Sequence, residues 1–110
     1  MEGQPKSKLP SRYVEFFERY PEVGKAYREM GAAVNIAGPL DRKTQALVKL
    51  GVAIGARMEG AVHSHVRKCR EAGATSDEIR HAVLQATTTL GFPNMMAALS
   101  WADDVLQGEN

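Results

Sequence analysis

The stretch of this chain richest in reactive side chains runs from Arg57 to Cys69 and reads RMEGAVHSHVRKC. It places two histidines, His63 and His65, shortly before the only cysteine of the chain. Three kinds of site are open to such residues: a metal site, a thiol–histidine pair, or an acid–base centre. Histidine carries protons near neutral pH, and a cysteine thiolate is the nucleophile of thiol redox chemistry. Which of the three kinds of site is possible depends on whether a helix or a strand carries these residues.

A metal site built from both histidines is not expected. The flanking residues have helical spacing, and residues two apart on a helix point roughly 200° apart around its axis. His63 and His65 therefore diverge, and we expect His63 to lie on a solvated face. No second pair of metal-binding residues stands at ligand spacing nearby, so the sequence predicts no metal and no cofactor.

His65 and Cys69 stand four residues apart, which places them on one helical face. Two valines share that face, so both side chains are expected to point inward. A buried cysteine usually acts as a small hydrophobic residue, and we expect this of Cys69. His65 has two open interpretations, a hydrogen-bonded core histidine or a catalytic one. Glu59 can meet His65 only if the helix breaks or restarts near Gly60.

Helix signals follow one another along the chain, and no segment alternates convincingly as a strand. Asp41 is a good N-cap, and Gly73 is a natural helix end. The sequence TSDE is a capping box, Thr75 with Glu78, and opens a helix that is expected to run to Leu90. The sequence therefore predicts an all-α fold of six or seven helices.

The domain organisation expected from the sequence is simple. Residues 1–10 contain two prolines and two lysines and are predicted to form a flexible arm. Residues 11–110 are predicted to form a single domain, with a helix break at Gly38-Pro39. In the segment GVAIGA, Gly51 and Gly55 lie one helical turn apart and would let a neighbouring helix approach closely. A helix that allows such close packing predicts that the protein is a homo-oligomer.

Composition excludes several classes of function. The chain has 110 residues, a net charge of +1 and 44% hydrophobic residues, the profile of a soluble globular protein. This charge balance predicts neither a nucleic-acid partner nor a membrane partner. The most apolar stretch, residues 46–56, is short and contains Lys49. One cysteine and no signal-type start predict a cytoplasmic location.

Two segments together resemble the carboxymuconolactone decarboxylase-like family, which includes the alkyl hydroperoxidase D (AhpD-like) proteins. They read LDRKTQALVKLGVAIGA and HSHVRKCREAGATSDEIRHAVLQATTTLGFPNMMAALSWADDVL. The resemblance covers about residues 40–106. It implies an AhpD-like helical fold with a core antiparallel helical hairpin, assembly as trimers or hexamers, and a pocket near His65 that is often at a subunit contact.

The resemblance also separates two kinds of chemistry. The peroxidase branch has a C-x-x-C pair and a glutamate on the preceding helix, and the matching positions here are Met58, Ala61 and Ala46. Peroxide reduction of that type requires a thiolate and a resolving thiol, which these positions do not supply. The decarboxylase branch is closer, because Glu59 and His65 match positions that are acidic and histidine there. Ala61 also matches a position that is commonly acidic in that branch.

Three functions follow from these residues. The leading one is a lyase or isomerase that uses acid–base chemistry on a small carboxylated or lactone substrate, with His65 as proton carrier and Glu59 as its partner. The alternatives are an AhpD-like peroxidase, disfavoured because the cysteine pair is absent, and a non-catalytic oligomer that binds a small ligand. The residues expected to contact substrate are Arg57, Lys49, Met58, Ala61 and His63.

Overall fold

The computed structural model describes residues 11–108, and all regular secondary structure among those residues is helical, with no strand. The expected arm at residues 1–10 lies outside them. The seven helices are α1 (Ser11–Arg19), α2 (Pro21–Asn35), α3 (Arg42–Gly55), α4 (Glu59–Glu71), α5 (Ser76–Leu84), α6 (Thr87–Leu90) and α7 (Phe92–Gly108). The predicted all-α class and helix number are confirmed.

The described part of the chain divides into two compact units, with the boundary between Pro39 and Leu40. The boundary falls at the Gly38-Pro39 pair that predicted a helix break. The expectation of a single domain over residues 11–110 stays a prediction, since each unit is described here by itself. Among the described residues, no helix is both long and apolar enough to cross a membrane.

The first unit pairs α1 with α2 through an aromatic contact. Gly24 is buried, and a Cβ atom at this position would lie 2.2 Å from a ring carbon of Phe17. The ring of Phe17 also stacks edge-on with Tyr13, at 4.7 Å between centroids, and lies under the Arg28 guanidinium at 4.2 Å. Glycine is therefore required at position 24 for this packing.

The helix ends of the second unit follow the sequence signals. The Asp41 side chain accepts a hydrogen bond from the Thr44 amide at 2.8 Å, which makes it the N-cap of α3. Thr75 and Glu78 form the predicted capping box at the start of α5. Gly73, with φ of +96°, follows the end of α4 in the left-handed conformation.

The second unit is built around the antiparallel hairpin of α3 and α4, which a three-residue connection joins. Helix α7 packs on α4 and on α5, and α3 also contacts α5. Two ion pairs tie these helices together at the surface: Lys43 with Glu78 at 3.0 Å, and Arg80 with Asp103 at 2.9 Å. The fully buried large side chains are Leu50, Ile79, Leu106, Val62, Val66, Val83 and Cys69.

One local expectation stays a prediction and another is corrected. Gly51 and Gly55 are exposed, and a Cβ atom on either would meet no atom within 4 Å. No described helix of the second unit therefore approaches them closely, and a close approach by a helix of another chain stays a prediction. The helix expected from Thr75 to Leu90 is divided after Leu84. There the Thr87 hydroxyl donates a hydrogen bond to the Leu84 carbonyl at 2.7 Å, and Thr87 is the first of three consecutive β-branched threonines.

Candidate active site

His65 lies in the middle of α4 and is half-buried. The residues that share its helical face, Val62, Val66 and Cys69, are 0% exposed. The core therefore fixes this face of α4 and holds the imidazole at the edge of the apolar interior. The inward orientation expected for His65 and Cys69 is confirmed.

The Nδ1 atom of His65 is buried and has no hydrogen-bond partner among the described residues. A buried ring nitrogen without a partner destabilises the fold, because it has lost its hydrogen bonds to water. Burial lowers the pKa of His65 below its ordinary 6.5, and the positive charges of Lys68 and Lys49 lower that pKa further. The ring is therefore held in its neutral form, and its buried Nδ1 atom is left without a hydrogen bond.

The two lysines that affect His65 come from both helices of the hairpin, Lys49 from α3 and Lys68 from α4. Their charge makes the surroundings of His65 electropositive, and such surroundings attract carboxylates. Lys49 was predicted to bind an anionic substrate, and the structure places its charge near the imidazole. Its contact with substrate stays a prediction.

Glu59 does not accompany His65. The helix does restart next to Gly60, but α4 begins at Glu59 itself, so Glu59 and His65 lie six residues apart on one continuous helix and point in different directions. The Glu59 carboxylate instead lies 3.9 Å from Nε2 of His63, one turn further along the helix. The expected Glu59–His65 partnership is corrected on this geometric ground.

His63 has a second acidic neighbour. Its Nε2 atom lies 3.1 Å from Oδ2 of Asp104, which α7 supplies. The His63 side chain is 24% exposed, so the ring is solvated only in part. We refer to Glu59, His63 and Asp104 as the His63 cluster.

Three further predicted residues lie at or near the start of α4. Arg57 is exposed and has φ of +59°, and Met58, the N-cap residue, is 58% exposed. Ala61 is half-buried and packs against the core one turn before His65. Their expected contacts with substrate stay predictions.

Cys69 is a buried thiol, as its helical spacing predicted. It is unpaired and 0% exposed, and burial raises its pKa to about 11. At neutral pH such a thiol is protonated, so it is a poor nucleophile. The residue cannot replace the reactive cysteine pair of the peroxidase branch.

Sequence reasoning missed two residues near the histidines. Asp104 lies 41 positions after His63, and no spacing rule connects them. Lys68 belongs to the same helix as His65, and helical spacing alone could have drawn attention to it. The long-range contact required the packing of α7 on α4.

Comparison with known proteins identifies the family of this chain. The sequence profile of the Carboxymuconolactone decarboxylase family matches residues 21–104. A 4-carboxymuconolactone decarboxylase from Acinetobacter baylyi is 31% identical over 68 residues, which are 62% of this chain and 51% of the relative. An uncharacterised protein from Haemophilus influenzae is 32% identical over 62 residues, 56% of this chain and 55% of that protein. The chain thus spans about half the length of these relatives.

The fold also matches a solved structure. The apo crystal structure of a carboxymuconolactone decarboxylase family protein from Legionella pneumophila superposes with a TM-score of 0.79 and 21% sequence identity. The match covers 91% of this chain and 89% of that one. At this identity the match shows the fold alone. Because the family profile matches residues 21–104, the chain belongs to the carboxymuconolactone decarboxylase family.

Proposed function

We propose that this protein is a carboxymuconolactone decarboxylase-like lyase or isomerase, and that His65 carries the proton in its reaction. The observation that supports this most strongly is the half-buried imidazole whose Nδ1 atom is buried without a partner. This atom is closed off in the free protein, and under the proposal substrate binding opens access to it and supplies the missing hydrogen bond. Family membership supports the reaction class, and the specific substrate is part of the proposal.

The charge near His65 favours an anionic substrate. Lys49 and Lys68 lower the pKa of the ring in the free protein, and a bound carboxylate would offset their charge. The pKa of His65 would then rise toward neutrality, where the ring can both accept and donate a proton. The proposed substrates are small carboxylated lactones.

The proton balance of a decarboxylation fits a single imidazole. The bond between carbon and the carboxylate breaks, CO2 leaves, and the electron pair stays on the carbon framework of the lactone. Protonated His65 then delivers a proton to carbon and becomes neutral. An isomerisation would use the same ring to remove a proton from one carbon and return it to another.

A second candidate function is ligand binding without catalysis. It is favoured by the position of Glu59, which faces His63 and leaves His65 without the carboxylate partner that was expected. The alanine at position 61, where the decarboxylase branch is commonly acidic, also favours it. In that case His65 and the lysines would bind a carboxylated ligand and leave it unchanged.

The thiol peroxidase is not part of the proposal, because Cys69 is buried and its pKa is raised. A single unpaired cysteine fits a reducing compartment, and we include a cytoplasmic location in the proposal.

The test is incubation of the purified protein with 4-carboxymuconolactone, with CO2 release and loss of the substrate carboxylate followed by NMR. We expect turnover by the wild type and by Cys69→Ala. Binding without product formation would favour the non-catalytic alternative. Peroxide reduction that disappears in Cys69→Ala would contradict the proposal.

A further inference from the structure

We propose that the His63 cluster binds a divalent transition-metal ion. Its three donors are one imidazole nitrogen and two carboxylate oxygens, and these atoms all lie within 4.8 Å of one another. Zinc sites that keep an open position use three protein ligands drawn from the same donor types. The cluster lies on a different side of α4 from His65, so the inference goes beyond the function proposed above.

The spacing of the donors suits an ion placed among them. In a tetrahedral zinc site with bonds of about 2.0–2.1 Å, neighbouring ligand atoms are separated by roughly 3.3 Å. The His63–Asp104 distance of 3.1 Å and the His63–Glu59 distance of 3.9 Å lie on either side of this value. Small rotations of the two carboxylates would complete the geometry.

The packing of two helices against each other holds the cluster together. Glu59 and His63 belong to α4, Asp104 belongs to α7, and the two helices pack against each other through buried residues. On α4 the buried neighbours of His63 include Val62, and on α7 Val105 is buried beside Asp104. The backbone positions of the donors are therefore set before an ion arrives.

The exposure of the side chains fits an open coordination site. His63 is 24% exposed, while Glu59 and Asp104 are each 57% exposed. The imidazole is thus the more fixed ligand, and the carboxylates can turn toward an ion. Water can occupy the remaining positions.

The donor set predicts which ion binds. Imidazole suits zinc and neighbouring transition metals, whereas Mg²⁺ takes oxygen ligands and gives up its water reluctantly. This proposal replaces the sequence-based expectation of no metal. That expectation rested on the divergence of His63 and His65 on α4, because the sequence does not show that Asp104 of α7 lies beside His63.

The experiment is a titration of the full chain, first stripped with chelator, with Zn²⁺ followed by calorimetry. Mg²⁺ is titrated in parallel. The variants are His63→Gln and Asp104→Asn, which remove donors from separate helices. The matched controls are His81→Gln, an exposed histidine outside the cluster, and Asp103→Asn, the adjacent carboxylate that pairs with Arg80. Far-UV circular dichroism establishes that each variant is folded.

We expect one Zn²⁺ per chain and a rise in the thermal midpoint with Zn²⁺ concentration. Each cluster variant should bind at least about tenfold more weakly, since even outer-sphere changes weaken metal sites by about 10–100-fold. Both controls should bind like the wild type, and Mg²⁺ should not compete. The proposal would be overturned by no stoichiometric binding, by equal binding in the cluster variants, by loss in the controls, or by equal competition from Mg²⁺. The cluster would then be an ion pair only.

Discussion

Arg57 and Gly73 occupy the same position at the ends of two successive helices, α3 and α4. Each has a positive φ, +59° for Arg57 and +96° for Gly73. At both ends the amide of this residue donates to the carbonyl three residues earlier, and the next amide donates to the carbonyl five residues earlier. This is the Schellman arrangement, in which glycine is the usual residue. At α3 an arginine is found instead.

We therefore expect Arg57→Gly to stabilise the fold. A residue with a Cβ atom destabilises the left-handed conformation by roughly 1–2 kcal/mol, and glycine does not. Urea denaturation should show an increase of about 1 kcal/mol in the free energy of unfolding. The control is Arg57→Lys, which keeps both the Cβ atom and the charge and should leave stability unchanged. A glycine variant no more stable than the wild type would contradict the prediction.

Gly24→Ala should destabilise the packing of α1 on α2. The added methyl group would lie 2.2 Å from the ring of Phe17, and overpacking of this kind costs about 1–3 kcal/mol. Gly31 in the same helix is the matched control, because a Cβ atom there meets nothing within 4 Å. Gly31→Ala should stabilise α2 by roughly 0.5–1 kcal/mol. Amide hydrogen exchange in α2 measures the stability change in both variants. Equal stability changes in Gly24→Ala and Gly31→Ala would contradict the contact between Gly24 and the ring of Phe17.

The helical framework could be predicted from the sequence, because its signals are local. Asp41, Gly73 and the Thr75–Glu78 capping box act within one turn of themselves, and each ends or begins a helix as expected. The candidate site was only partly predictable. The inward face of His65 follows from helical spacing, but the pairing of His63 with Asp104 depends on how α7 packs on α4.

The stability of the protein should decrease below pH 6.5 in a way that depends on His65. The pKa of His65 is lowered in the folded protein, so the unfolded chain binds a proton first as the pH falls. The stability contributed by the neutral ring is present above pH 6.5 and is lost as the pH falls toward the folded pKa. Chemical denaturation between about pH 7.5 and 5 should show that the free energy of unfolding falls less with pH in His65→Gln than in the wild type. An equal fall in both proteins would contradict the lowered pKa of His65. His81→Gln serves as the control and should behave like the wild type.

We also propose that the protein is a homo-oligomer, a trimer or hexamer. One face of α3 carries Val48 and Val52, which are 50% and 67% exposed, beside the uncovered Gly51 and Gly55. Multi-angle light scattering at micromolar concentration should give the mass of three or six chains. Val52→Asp should dissociate the assembly, while Ser100→Asp on the exposed side of α7 should not. A monomeric wild type would contradict the proposal.

The central claim is that His65 transfers the proton in the reaction, and the most direct test is the turnover of 4-carboxymuconolactone by His65→Gln. His81→Gln is the matched control, since His81 is exposed, whereas His63 is engaged with Asp104 and is not a neutral comparison. We predict that His65→Gln folds with little loss of stability and that kcat falls by about 10²–10⁴-fold, the usual contribution of acid–base catalysis. If His65 is only a core histidine, the same change leaves kcat unchanged. Full activity in a folded His65→Gln protein would contradict the account.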